Sequence, residues 1–219
     1  MSSSGTAVCP RCGKILALCV CTDLPVLKNK VHVLVLQHPQ EPDKELGTAK
    51  LANLILAAST LKTGFSVPNL RSVLGFDTDP TKWIVLFLGS KYKFRQATGG
   101  GTSSEILFFN KKGEEIQRPL DGIQGVVVID GTWAQAKALW WRNAWLLKLT
   151  RAVINPRQKS LYGSLRREPR QECLSTIESI AYTLEILGED PAIPATLLRT
   201  FGTLITRYRE HHAGKSPNS

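Results

Sequence analysis

The chain reads as an α/β protein, a mostly parallel sheet with helices on both faces, preceded by a small amino-terminal zinc knuckle. Three observations predict this. Apolar, β-branched runs of strand length recur, the strongest at residues 31–37, 83–88 and 125–130. Segments of helical periodicity separate them, and strands alternating with helices favour parallel pairing with both sheet faces covered. Four cysteines fall within the first 21 residues, as Cys9-x-x-Cys12 and Cys19-x-Cys21. With 219 residues, 42% of them hydrophobic, the chain can bury a full core in one domain.

Residues 1–8 are expected to be a disordered tail, with no apolar run of the kind a secretion signal requires. Residues 9–25 form the knuckle, closed by Pro25. Six residues separate the cysteine pairs, so one hairpin turning at Gly13 can gather the four sulfurs. Thiolates are soft ligands, and four of them fill the tetrahedral shell of Zn²⁺. A disulfide pair or chance spacing is the alternative, and a chain without a secretion signal argues against disulfides. Cys9, Cys12, Cys19 and Cys21 are therefore expected to hold a structural zinc with no open position for a substrate. Cys173 is isolated and reads as a free thiol, which fits a reducing, cytoplasmic compartment.

Residues 26–212 make the main domain. A strand at 31–37 runs into the loop 38–42. A helix is expected over 48–61, with Leu51, Leu54, Ile55 and Ala58 on one face. Strands follow at 71–75 and 83–88, the latter ending at Gly89-Ser90. The run 98–104 is too glycine-rich for regular structure and reads as a mobile loop. A short strand is expected over 105–110 and a buried one over 125–130. The helix over 133–148 places Trp133, Lys137, Trp140, Trp141, Ala144 and Trp145 near one stripe. Such a stripe is ordinarily core, with nucleic-acid stacking as the alternative. Another strand covers 151–155, stopped by Pro156. Ser175 and Glu178 have the spacing of a capping box. The helix they open turns Ile177, Ile180, Ala181, Leu184 and Leu187 inward and stops at Gly188. A last helix spans 191–211, and residues 213–219 form a second tail.

A formal charge of +10 favours a polyanionic partner, RNA or DNA, over a membrane. No apolar stretch is long enough to cross a bilayer. Between Arg151 and Arg170 stand Arg151, Arg157, Lys159, Arg166, Arg167 and Arg170 against one acid, Glu168. A second basic stretch holds Lys82, Lys91, Lys93 and Arg95 with Tyr92 and Phe94 interleaved. Arginine forks suit phosphate oxygens, and aromatic rings stack on unpaired bases. Lys91, Lys93, Arg95, Arg157, Lys159, Arg167 and Arg170 are the candidate RNA contacts, and a solvated loop face is the alternative.

In open α/β sheets ligands bind beyond the carboxyl ends of strands. Gln37-His38, Leu88-Gly89-Ser90 and Asp130-Gly131-Thr132-Trp133 occupy three such ends. Asp130 is the candidate catalytic group, because partial desolvation behind four aliphatic residues suits a general base. Its alternative is a helix cap. Thr132 is placed to cap the helix that follows. No Gly-x-Gly-x-x-Gly follows a strand, and neither a phosphate loop nor a Gly-x-Ser-x-Gly elbow is present. Hydride transfer, nucleotide hydrolysis and serine-hydrolase chemistry are thereby disfavoured.

Taken together, these motifs resemble the DTW domain family. The Asp130-x-Thr132-Trp133 signature is joined by the cysteine pattern, by Gln37-His38-Pro39-x-Glu41 with Thr48 and Asn53 beyond it, and by Leu174-Ser175-Thr176-Ile177-Glu178 after a basic stretch. The resemblance covers most of residues 9–188. One departure is Phe87-Leu88-Gly89, where the family often carries Pro before the glycine. The resemblance implies a SPOUT-like fold with a carboxyl-terminal trefoil knot around S-adenosylmethionine. It also implies a tRNA-uridine aminocarboxypropyltransferase, which moves the 3-amino-3-carboxypropyl group to N3 of a uridine with Asp130 as base. Phe87, Leu88, Gly89, Thr132, Trp133, Leu174, Ser175 and Thr176 would then contact the cofactor, and Arg166 or Arg167 its carboxylate. The cysteine knuckle would help dock tRNA, remote from the transfer step. A SPOUT-type RNA methyltransferase and a non-enzymatic zinc-bearing RNA-binding module stay open as alternatives, as do the monomer and the homodimer.

Overall fold

A computed structural model describes residues 7–86, 105–156, 158–165 and 174–213. Its strands are β1 (His32–Gln37), β2 (Ser59–Thr63), β3 (Trp83–Leu86), β4 (Glu105–Phe109), β5 (Glu115–Ile116), β6 (Gly125–Asp130) and β7 (Thr150–Asn155). Its helices are α1 (Ala49–Ile55), α2 (Leu70–Leu74), α3 (Trp133–Arg142), α4 (Thr176–Ile186) and α5 (Ala192–Ala213). The strands form one seven-stranded sheet in the order β2-β1-β6-β3-β7-β4-β5. The first five of these run parallel, and β4 and β5 close one side antiparallel.

The β-branched runs sit centrally because both of their faces must be buried. On one face Val33, Val35, Ile84, Val126 and Val128 join a core with α1, α4 and α5. On the other, Leu34, Leu36, Trp83, Val85 and Val127 pack with Leu70 of α2 and Trp140 of α3. Strand connections leave the centre in opposite directions. From β1 the chain passes through α1 to β2 on one side, and from β6 it passes through α3 to β7 on the other. The paired ends of β1 and β6, Gln37 beside Asp130, are therefore a topological switch point.

Several sequence expectations change. The helix expected over 48–61 ends at Ile55, and 59–63 is a strand. Ser59 Oγ donates to the Leu56 carbonyl at 2.8 Å, and the Asn29 side chain holds both backbone groups of Ala58 at 2.9 Å. These bonds compete with further helical turns. The strand expected at 71–75 is α2, capped by Asn69, whose side chain accepts from Ser72 N, and ended by Gly75 at φ 80°. The helix expected over 133–148 stops at Arg142. Asn143, buried, accepts from Val67 N at 2.8 Å and donates to the carbonyls of Leu139 and Phe65, and a 3-10 turn over Ala144–Lys148 follows. β5 had no sequence signal of its own. Val8, placed in the tail by composition, bridges to Ile15. Residues 87–88 of the third expected strand, the run 98–104, Cys173 and residues 166–173 of the region implied to form a knot lie outside the described residues. No described helix is long and apolar enough to cross a membrane.

Trp83 shows how tightly the centre is packed. Its ring is 1% exposed and lies over Gly125 on the neighbouring strand, where a Cβ would meet ring carbons at 2.5 Å. Gly125→Ala is expected to cost about 3 kcal/mol through overpacking. Urea denaturation of the variant against the parent checks this.

Candidate functional site

Asp130 ends β6 and is 7% exposed. Its carboxylate is held from two sides. Gln37 Nε2 donates to Oδ2 at 2.9 Å, and the Thr176 hydroxyl, from the first turn of α4, donates to Oδ1. Gln37 is itself oriented, because its Oε1 accepts from Thr63 Oγ1 at 3.0 Å. One hydrogen-bond chain thus crosses β2, β1, β6 and α4. Asp130 is not the cap of α3. Thr132 fills that role in a capping box with Gln135, and Thr132 N donates to Gln135 Oε1 at 2.6 Å. Gly131 between them allows close approach, since a Cβ there would stand 3.0 Å from Gln135 Cβ and 3.4 Å from His38 Cβ.

Above this edge lies a cleft of about 490 Å³, within the range of small-molecule sites. The turns over 41–48 form one wall. Asp130, Gly131, Thr132 and Trp133 form the floor and lip. Leu174, Thr176, Tyr162 and Tyr208 close the far side. Glu41, Glu45 and Asp130 are the acidic residues of this lining and Lys44 a basic one.

Two side chains hold these walls together. Glu178, fully buried at the third residue of α4, accepts from Ser175 N at 2.8 Å and from the hydroxyls of Ser175 and Ser160 at 2.7 Å. Its other oxygen accepts from Leu161 N at 2.7 Å. The loop before Tyr162 is thereby fastened to the start of α4, and Tyr162 Oη reaches the Leu46 carbonyl at 3.0 Å. The side chain of Thr48, 1% exposed, makes no capping bond to α1. Its hydroxyl accepts from Ile177 N at 3.2 Å and joins the starts of α1 and α4.

The four knuckle sulfurs lie within 4.8 Å of one another and could hold a metal ion. A tetrahedral shell with Zn–S near 2.3 Å puts sulfurs about 3.8 Å apart, so the cluster fits zinc with small adjustment. Its thiols are unequal. Accepting the Cys12 backbone N–H, then a bond from Cys19, draws Cys9 down to about 6, while burial pushes Cys21 up. The knuckle is not an appendage. Cys9, Cys12, Leu18, Val20 and Cys21 belong to the same core as α4 and α5. Nor does it stand far from the cleft. Lys14, 7% exposed, donates from Nζ to the carbonyls of Glu45 at 2.7 Å and Lys44 at 3.3 Å. Burial pushes the Lys14 ammonium down to about 8, against the pull of Cys12, Glu45 and Asp130.

Of the residues expected from sequence, Asp130, Thr132, Trp133, Leu174 and Thr176 meet in the cleft. Ser175 lies beneath it as the buried cap of α4. Leu86 brings β3 to the cleft wall, while the next residues, Phe87, Leu88 and Gly89, lie outside the described residues, as does Arg166. Lys159 is exposed. Lys91, Lys93, Arg95, Arg157, Arg167 and Arg170 lie outside the described residues. Arg151 of the basic run is drawn into the fold, with its guanidinium 5.4 Å from the Trp140 ring centroid. Sequence reasoning missed Lys14, Thr63, Tyr162 and Tyr208. Only the capping spacing of Ser175 and Glu178 marked the neighbourhood.

Comparison with known proteins indicates the family. A family model described as DTW domain matches residues 6–209. A tRNA-uridine aminocarboxypropyltransferase 2 of Mus musculus is 29% identical over 210 residues, 94% of this chain and 64% of its own length. The protein of the same description from Macaca fascicularis is 26% identical over 207 residues, with the same two shares. That from Drosophila melanogaster is 29% identical over 202 residues, 90% of this chain and 72% of its own. This chain thus spans somewhat under two thirds of the length of the two mammalian relatives. No solved structure matches.

Two substitutions test the architecture. Glu178→Gln would set an amide N–H₂ against donors and is expected to cost about 2 kcal/mol in urea denaturation. Lys14→Met keeps the side-chain length but removes both links, and hydrogen exchange at amides 44–48 is expected to quicken severalfold.

Proposed function

This chain belongs to the DTW domain family, and we propose that it transfers the 3-amino-3-carboxypropyl group of S-adenosylmethionine to N3 of a uridine in tRNA. The observation that carries the proposal is Asp130 held at the switch point by Gln37 and Thr176, facing a cleft of about 490 Å³. The names of the relatives supply the reaction class, and the cleft supplies a place for it.

The cleft suits the donor substrate in size and charge. A sulfonium and an ammonium are cationic, and Glu41, Glu45 and Asp130 line the same space. Thr132, Trp133, Leu174 and Thr176 bound it, with Ser175 fixing the start of α4. Phe87, Leu88, Gly89 and Arg166 remain assigned to the donor by the family resemblance.

The chemistry is a displacement. The bond from N3 to Cγ forms while the Cγ–S bond breaks, its electron pair stays on sulfur, and methylthioadenosine leaves. The protein has two tasks. It must aim Cγ rather than the methyl carbon at the nucleophile, which is positioning. It must also take the N3 proton, and Asp130 does so in this proposal. Gln37 and Thr176 set the orientation of the carboxylate, so its free lone pairs meet the cleft in one direction. The acceptor uridine has to leave its stack, at about a few kcal/mol. Contacts from Lys159, and from Lys91, Lys93, Arg95, Arg157, Arg167 and Arg170, offset part of that cost. The cysteine cluster holds a structural zinc, and Lys14 connects it to the cleft wall.

Incubating the full chain with tRNA and S-adenosylmethionine, followed by mass spectrometry of the nucleosides, is the direct test. An aminocarboxypropyl gain on uridine with methylthioadenosine as by-product is expected. A methyl gain with S-adenosylhomocysteine would make the protein a methyltransferase, and tRNA binding without donor binding would make it a binding module. Asp130→Asn is expected to slow transfer at least about a hundredfold while donor affinity, read by calorimetry, changes little. Near-parental turnover in that variant would remove Asp130 from the role of base.

A further inference from the structure

α3 carries two kinds of tryptophan. Trp140 is 7% exposed and sits in the core, as do Ala136 and Leu139. Trp133 and Trp141 are 46% and 67% exposed. Lys137, also exposed, stands midway between these two, so the three residues share one stripe at i, i+4 and i+8. At a rise of 1.5 Å per residue the two indoles are about 12 Å apart along the helix axis. Trp133 lines the cleft that contains Asp130, so the stripe begins at the cleft and runs outward.

Beyond the cleft end, the charged residues of α3 and the turn after it are all cationic. Residues 131–150 include Lys137, Arg142 and Lys148 and no acid. Beside the stripe, the Arg142 guanidinium lies 5.1 Å over the ring of Phe65, itself 46% exposed. Phe65 in turn packs edge-on at 5.0 Å against His38, the residue after Gln37. A surface made for a protein partner would place a continuous apolar centre inside a polar rim. Here a lysine separates the two indoles, and further cations flank them. Rings interleaved with cations are the pattern that grips unpaired nucleotides, since every base offers a face for stacking and every link a phosphate.

We infer that Trp133, Lys137 and Trp141 form a stacking platform for unpaired nucleotides flanking the acceptor uridine, with Lys137 and Arg142 toward the phosphates. This rests on the reading of an RNA uridine as acceptor. The RNA loop would lie along α3 on one face of the sheet and deliver its base over the edge to Asp130, while the donor enters from the α4 side.

The test uses the full chain, a fluorescein-labelled tRNA transcript and a labelled unstructured oligouridine, with affinities read by anisotropy. Trp141 is the informative position, because it neither lines the cleft nor touches Asp130. Trp141→Ala is expected to weaken both RNAs about tenfold, Trp141→Phe to recover most of the loss, and donor affinity to stay within twofold. Lys137→Gln is expected to reduce the salt dependence of binding. Unchanged RNA affinity in Trp141→Ala overturns the platform even if the parent transfers the group normally, and the proposed reaction then stands without it. Loss of self-association in place of RNA affinity overturns it in favour of a contact between copies. If the parent transfers nothing yet Trp141→Ala still loses RNA, the platform stands and the proposed reaction falls. A parent that binds neither RNA overturns the platform outright.

Discussion

The Asp130 carboxylate governs the arrangement of this molecule's working edge. A carboxylate that is 7% exposed needs donors, and each donor recruited here belongs to a different element. Gln37 brings β1, Thr176 brings α4, and Thr63 brings β2 by donating to the Gln37 amide oxygen. The carboxylate only accepts, so it turns the amide N–H₂ inward, and the Thr63 hydroxyl donates to the amide oxygen left facing away. The position of α4 over the sheet and the register of β1 on β6 are thus tied to one charged group.

The walls follow from similar economy. Glu178 satisfies backbone and hydroxyl donors of two segments far apart in sequence, and Thr48 leaves its own helix uncapped to accept from Ile177. The knuckle takes part through Lys14, whose ammonium bonds to carbonyls rather than to a carboxylate. Carbonyls do not titrate, so this link depends on the shape of the 41–48 turns and not on the charge of a partner. That makes the cysteine cluster a support for the cleft wall as well as a fold element, which spacing alone could not reveal.

The strands buried on both faces were legible in the sequence, because no other element explains the run from Val126 to Ile129 between Gly125 and Asp130. The cap at Thr132 and the capping box at Ser175 were legible for the same local reason, and they led to Thr176 and the edge of the site. Misreadings arose where the deciding partner is distant. Ser59 is a weak local signal against a longer helix; the Asn29 side chain, which takes both backbone groups of Ala58, lies far off in sequence. In α2 the five residues offered too short a period, although Asn69 and Gly75 marked its ends. Tyr162, Tyr208 and Thr63 reach the site only through tertiary closure, and their neighbours in sequence carry no trace of it.

The tryptophans of α3 and of the 3-10 turn after it expose a limit of periodicity itself. A 3.6-residue period groups apolar side chains by direction, and with Trp133, Trp140, Trp141 and Trp145 all present the stripe is too broad to be one face. The fold divides it. Trp140 and Trp145 enter the core beneath Val67 and Leu146, and Trp133 and Trp141 stay in solvent. The switch point explains why such a division is useful here. The chains leaving β1 and β6 enter helices on opposite faces of the sheet, and α4, which follows β7, packs on the α1 face, so α4 and α3 approach Asp130 from opposite sides. A residue in the middle of a sheet is reachable from one face or the other, but a residue at this edge is open to both. In the proposed reaction two reactants must meet in line, which two approaches serve best, and Asp130 stands where those approaches converge.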